Sequence, residues 1–320
     1  MKILYFCADL GGRPAYFVKE QVEAIKAANP SIEVEWCLCK HTGILGGWKK
    51  MQALRHAIHR FHPDIIHAHN GMYGLIANMQ RRVPVVTTYH GSDIHSGGLV
   101  RMLSQVCVWL SKYNIFVGKA LWQMVHAKEE KASVIPCGMD LDVFYPMSKT
   151  EARKVMGMEA DKKYVLFTSH FTNEVKDPAL AMQAIAIVNS EERIVKSGSV
   201  ELIELKGYNR PQVNMLLNAV DALLMTSKRE GSPQIIKEAI AVGTPIVTTN
   251  VGDVEQLLAG VENAAISTSR DPKELADLLQ RTMSQSHSKK GREVIEQLGM
   301  DNADIVQRIV QIYEQVISRK

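Results

Sequence analysis

The sequence offers no apolar stretch approaching the roughly 20 residues that a membrane-spanning helix needs. The apolar run near the amino terminus, residues 3–7, is too short for a secretory signal and reads as a first strand. Only five cysteines occur, at Cys7, Cys37, Cys39, Cys107 and Cys137. They make no CxxC pair and no zinc spacing, so reduced thiols and a cytoplasmic location are expected. No GxGxxG fingerprint, Walker loop, internal repeat or low-complexity tract is present. Basic residues are not interleaved with stacking aromatics, so nucleic acid is not an expected partner.

What remains is an ordinary globular composition, 46% hydrophobic and 22% charged, over 320 residues. That length predicts two domains. The net charge of +4 is unevenly spread. Residues 1–145 carry 16 Lys and Arg against 11 Asp and Glu, whereas residues 146–320 carry 22 against 23. Nine of the eleven histidines also lie in the first part. A basic first half suits an anionic partner, either a phosphate-bearing acceptor or the inner face of a membrane. The pattern at 48–61 sets Trp48, Met51, Leu54, Ile58 and Phe61 on one face and basic residues around the rest. It fits a peripheral membrane helix, and equally a core helix with a solvated face.

Strands are expected at 2–7, 32–38, 64–67, 83–88, 114–117 and 133–135, with helices at 16–28, 48–61 and 99–110 between them. Such alternation predicts a parallel, doubly wound sheet. An irregular link over 140–146 places the boundary at 146. A second α/β block over 147–301 begins with a strand at 163–168, followed by a helix at 178–188 opened by Asp177-Pro178. Further strands are expected at 200–205, 222–225 and 245–248, with helices at 211–219, near 253–258, at 272–284 and over about 302–320. Ligands of open parallel sheets bind beyond the carboxyl ends of the strands.

The candidate functional residues fall at such ends. Gly11 and Gly12 follow the first strand, where glycine lets backbone approach a phosphate. His67 and His69 share one strand face, and His90-Gly91-Ser92-Asp93 follows the fourth strand. Three imidazoles without a suitably spaced carboxylate do not make a metal site, so none is expected. Asp93 reads as a helix cap. Lys176 precedes a helix start, where an ammonium suits a pyrophosphate. In the window 226–256, Glu230 and Glu238 stand eight apart around Gly231-Ser232-Pro233. Ser232 reads as an N-cap and Pro233 as the first helical residue. Gly252-Asp253 follows the next strand. Two carboxylates beside the N–H groups at 231–234 suit a ligand with many hydroxyls and a phosphate, such as a nucleotide-sugar.

This ordered set resembles the retaining GT-B glycosyltransferases of family four, also called group 1, in a short variant. The resemblance implies two Rossmann-like doubly wound domains facing a cleft, with the C-terminal helix crossing back to the first. It implies sugar transfer from a nucleotide-diphosphate-sugar to an acceptor hydroxyl, with retention and no cofactor or essential metal. The acceptor implied is a glycan or lipid-linked hydroxyl in surface polysaccharide or glycolipid synthesis. By resemblance, Glu230, His90 and Lys176 are catalytic. Glu238, Gly231, Ser232, Pro233, Gly12, His170 and Gly252 bind the donor, and Gly11 and Asp93 lie on the acceptor side. Two departures stand out. The family's loop arginine is replaced by Ser169, His170 or Phe171, and one β-α unit before the glutamate window is missing. A non-catalytic subunit binding a partner glycosyltransferase, or a GT-B nucleotide-sugar epimerase, are the alternatives. Retention of both glutamates, His90 and Lys176 argues against them.

Overall fold

The computed structural model describes residues 1–40, 43–190 and 198–319. The chain divides into two compact units, Met1–Gly138 with Met300–Lys320, and Met139–Gly299.

The first unit is built on a six-stranded sheet: β1 Lys2–Ala8, β2 Glu33–Cys39, β3 Ile65–His69, β4 Val85–Tyr89, β5 Tyr113–Phe116 and β6 Ala132–Val134. Its order is β2-β1-β3-β4-β5-β6, and every pair is parallel. Parallel strands are covered on both faces, which explains why β1 reads as one unbroken apolar run. One face packs Ile3, Tyr5, Ile65 and Val86 against Val18, Val22 and Ile25 of helix Tyr16–Ala28. The C-terminal helix Asn302–Ser318 closes the same core through Ile305, Ile309, Ile312 and Tyr313. Lys320, the last residue expected in that helix, lies outside the described residues. The opposite face buries Leu4, Phe6 and Ile66 against Met51, Leu54 and Ala57 of helix Gly43–Phe61. The apolar side of that helix therefore faces the core, and of the large residues singled out there only Trp48 is exposed.

The second unit holds β7 Lys163–Phe167, β8 Val200–Glu204, β9 Ala222–Met225, β10 Ile246–Thr249 and β11 Ala264–Ser267, in the all-parallel order β11-β10-β9-β7-β8. A single helix, Arg210–Ala219, connects β8 to β9. Read outward from its first strand, each sheet reverses direction once, between β1 and β3 and between β7 and β9. Such switch points are where open α/β sheets place ligands.

Packing changes hands at Gly138–Met139 rather than near residue 146. The link 140–146 is already part of the second unit. The Phe144 ring lies under the Arg210 guanidinium at 4.4 Å. The Tyr145 N–H donates to Asn214 Oδ1, and Asn218 Nδ2 donates to the Tyr145 carbonyl.

Candidate active site

In the second unit the candidate side chains gather beyond the carboxyl ends of β7, β9 and β10. Lys176 sits on a short 3-10 turn, Glu174–Lys176, between β7 and helix Pro178–Ser190. Its Nζ lies 2.5 Å from Glu230 Oε1. The loops carrying the two residues are tied together by backbone. Lys228 N–H donates to the Val175 carbonyl, and the Thr226 hydroxyl donates to the carbonyls of Lys176 and Asp177. Asp177 adopts φ 51°, and its carboxylate accepts from Leu180 N–H and from Arg270 at 2.6 Å. Arg270 also donates to the carbonyls of Thr226 and Ser227, so one guanidinium binds the strand-end loops.

Glu238 lies on helix Gln234–Val242 and is 1% exposed. Its Oε1 accepts from Arg210 at 2.7 Å. Each signature glutamate thus holds one cation. Arg210 opens helix Arg210–Ala219 behind an Asn209/Gln212 capping box. That capping box is legible in the sequence, but nothing local pairs Arg210 with a residue 28 positions on.

Gly231-Ser232-Pro233 departs from expectation in one respect. Pro233, not Ser232, is the N-cap, with φ −69° and ψ 113°, and no side chain caps the helix. Proline fixes φ but leaves ψ extended here, so the helix starts one residue later. The freed Ser232 hydroxyl is buried and turned toward the Asp253 carboxyl. Gly252 has φ +65°, and a Cβ there would stand 2.8 Å from the Gly231 carbonyl oxygen and 3.2 Å from Glu230 Cβ. Glycine is required twice over, by dihedral and by contact. Burial raises the pKa of the neighbouring Asp253 carboxyl. Lys237, also in this helix, is fully buried and reaches Gln234 Oε1 at 3.3 Å. Among the described residues, Thr168 Oγ1 and Ser227 Oγ are buried without partners. Unsatisfied buried groups are costly, and these two follow β7 and β9, where polar ligand atoms would satisfy them. His170 lies in the β7 loop, where its Nδ1 meets Thr172 Oγ1 at 2.7 Å.

In the first unit the corresponding strand ends hold histidines. His67 is fully buried, 2.5 Å from Tyr313 Oη and 2.7 Å from Thr88 Oγ1. The His67 and His69 rings stack at 4.4 Å. Burial lowers the His67 pKa to about 3 and holds His69 well below its ordinary value, so both are neutral. His69 Nδ1 meets His90 Nε2 at 2.9 Å, while His69 Nε2 is buried without a partner. His90 is half-buried against Phe17, at 4.7 Å between rings. Gly11 and Gly12 have φ +82° and +87° and lie exposed. The Gly12 N–H is turned onto Asp9 Oδ1, and the helix begins later, at Tyr16.

Asp93 is neither a cap nor on an accessible acceptor surface. It is 1% exposed inside helix Ser92–His95. Its two oxygens accept from the N–H groups of Gly91 and Gly71, tying the His90 turn to helix Gly71–Asn78. Among the described residues, no three His, Cys, Asp or Glu side chains gather as a metal site.

Comparison with known proteins places this architecture. The sucrose-phosphate synthase of Thermosynechococcus elongatus superposes with TM-score 0.81 at 17% identity over all of both chains. Anabaena HepE, solved with UDP-glucose, gives 0.72 at 18% identity, covering 98% of this chain and all of its own. These define the fold as GT-B. The Glycosyltransferase Family 4 pattern matches residues 5–143, and Glycosyl transferases group 1 matches residues 162–285. The chain belongs to these glycosyltransferase families. TuaC of Bacillus subtilis (strain 168), whose name proposes a teichuronic acid biosynthesis glycosyltransferase, is 26% identical over 61% of this chain and 55% of its own length. The D-inositol 3-phosphate glycosyltransferase of Thermobispora bispora is 23% identical over 68% of this chain and 62% of its own. The matches thus span just over half the length of these relatives.

Proposed function

We propose that this chain transfers a sugar from a nucleotide-diphosphate donor to the hydroxyl of a glycan or lipid-linked acceptor. The transfer retains anomeric configuration, requires no essential metal, and serves surface polysaccharide or glycolipid synthesis. The observation that carries this reading is the pairing of each signature glutamate with a cation, Lys176 with Glu230 and Arg210 with Glu238, beside unpartnered hydroxyls. A bound diphosphate draws Lys176 partly away from Glu230. The ammonium then stabilises charge developing on the leaving group, and such electrostatic stabilisation is commonly the largest catalytic contribution. Glu230 and His90 orient the sugar, and Glu238 accepts from ribose hydroxyls. With Glu230 given to orienting the sugar, same-face attack is favoured over a covalent intermediate. The surplus of basic residues in the first part of the chain suits an anionic acceptor. That agrees with the inositol phosphate in one relative's name and the teichuronic acid in the other's.

The test is thermal unfolding of the purified chain with UDP-, GDP-, dTDP- and ADP-sugars, beside Glu238→Ala. One donor at about 100 times its Kd should add about 2.7 kcal/mol to the wild type. The variant should gain nothing. Product formed by the chain alone separates a catalyst from a non-catalytic subunit. Stabilisation by none of the four donors would sink the reading.

A further inference from the structure

Helix Leu99–Leu110 is turned inside out. Its inward side carries Ser104, whose hydroxyl donates to the Asp93 carbonyl, with Cys107 and Val108. Gly71 and Gly74 of helix Gly71–Asn78 let it approach closely, since a Cβ at either would clash with Ser104 or with Cys107 and Thr87. Its outward side is Leu99, Met102, Leu103, Val106, Trp109 and Leu110. That spacing makes one continuous stripe along the helix, roughly 18 Å long. Leu99 is 64% exposed, Met102 57%, Trp109 63% and Leu110 47%, with Leu103 and Val106 half-buried. An apolar stripe of this length on a surface helix marks an interaction site.

Its carboxyl end is bordered by basic residues. Leu110 shares a hollow with Arg81, Arg82 and Lys112, all three exposed. Arg101, on the helix itself beside the stripe, is exposed as well. No helix among the described residues is long and apolar enough to cross a membrane.

We propose that this face docks on an anionic lipid bilayer, with the stripe in the headgroup–acyl boundary and the cations on the headgroups. Apolar area plus attraction to anionic lipid is what holds interfacial helices. A second copy of the chain would bring Arg81, Arg82, Arg101 and Lys112 against residues of their own charge, which disfavours self-association through this face. The inference stands apart from the transfer reading, because none of these residues belongs to the site described above.

The test mixes the purified full chain with vesicles of phosphatidylcholine alone, and of equal parts phosphatidylcholine and phosphatidylglycerol. Sedimentation with the anionic vesicles only is expected, with a blue shift of tryptophan emission. Met102→Ser with Trp109→Ser should weaken partitioning at least tenfold. Arg81→Glu with Arg82→Glu should weaken it about fivefold for each charge removed. Both variants should keep the wild-type unfolding temperature, because every altered side chain is exposed. No binding to anionic vesicles, equal binding to both kinds, or binding unmoved by the variants would overturn the proposal. So would a wild-type dimer that Trp109→Ser separates and that ignores vesicles; the occupant would then be a second copy.

Discussion

The two sheets reverse direction at equivalent points, yet their carboxyl ends hold opposite chemistry. The first unit presents His67, His69 and His90, the first two stripped of charge by burial. The second presents two ion pairs, with Lys176 and Arg210 each 21% exposed. An imidazole enclosed by Tyr5, Tyr313 and Thr88 has nothing to stabilise a proton, so it acts as a fixed hydrogen-bonding group. An ammonium facing a carboxylate at the mouth of a sheet keeps its charge and can lend it to a ligand. Equivalent ends of similar sheets are thus divided between neutral and charged groups.

That division predicts unequal losses. Lys176→Ala should lower kcat by about 10²–10³, the scale for removing one electrostatic stabiliser of a developing anion. His90→Ala removes one hydrogen-bonding ring and should lower it only about tenfold, near the roughly 1.5 kcal/mol upper end for such a bond. Steady-state kinetics with the identified donor measures both. Equal losses would dissolve the distinction between the two sheet ends.

Charge in the second unit also works at the amino end of its sheet, for stability. Asp221 precedes β9, is 2% exposed, and meets Arg153 at 2.9 Å, Lys149 at 2.7 Å and Lys163 at 3.1 Å. Burial pushes its pKa up, but these cations and the Tyr164 N–H outweigh burial and hold it low. Asp221→Asn leaves the buried Arg153 without its counter-charge and should cost about 3 kcal/mol. Urea unfolding should show the loss while the donor KM stays unchanged. A large rise in KM would mean that the two ends of the sheet are coupled.

The first unit should be the acid-sensitive one. His67 titrates at about 3 when folded against 6.5 when unfolded. Between those values the unfolded chain binds a proton that the native chain does not, so stability is full above pH 6.5 and falls as pH drops. The slope is about 1.4 kcal/mol per pH unit from this residue. By pH 5 the loss is about 2 kcal/mol. All four tryptophans, Trp36, Trp48, Trp109 and Trp122, lie in the first unit, so their fluorescence reports its unfolding alone. His67→Gln should remove this residue's share of the slope between 6.5 and 5, leaving the share of buried His69. A slope unchanged in that variant would place the acid sensitivity elsewhere.

The strongest sequence signals were those with a local cause. The apolar runs of β1, β4 and β9, the punctuation by Asp177-Pro178, and the glycine-bounded glutamate window all reappear as elements. Signals were lost where tertiary contact decides. Helix Gly71–Asn78 carries two glycines and is not among the expected helices, although those glycines serve its approach to Ser104 and Cys107. Strand β11, Ala-Ala-Ile-Ser, is a short edge strand with too little apolar content to announce itself. Asp93 has the spelling of a cap, but its oxygens bond two backbone N–H groups, one of them 22 residues away. The Arg210–Glu238 pair and the Arg270 staple join segments distant in sequence and leave no periodic trace. Helix Leu99–Leu110 is expected from the sequence, whereas its outward apolar side is seen only in the structure.

The smallest expected effect concerns the missing arginine. If the cations of the second unit supply what that arginine would, His170 contributes little. Its ring nitrogen is engaged by Thr172, and its carbonyl accepts from Asn173 N–H, so the loop keeps its shape when the ring is removed. Lys176 and the Arg270-bound loops remain in place. His170→Ala should therefore change donor KM within about twofold, the size of a surface substitution worth about 0.5 kcal/mol. A tenfold rise in KM would instead put the imidazole on the diphosphate. The second unit would then use histidine and lysine together, and the contrast between a neutral sheet end and a charged one would hold only for buried rings.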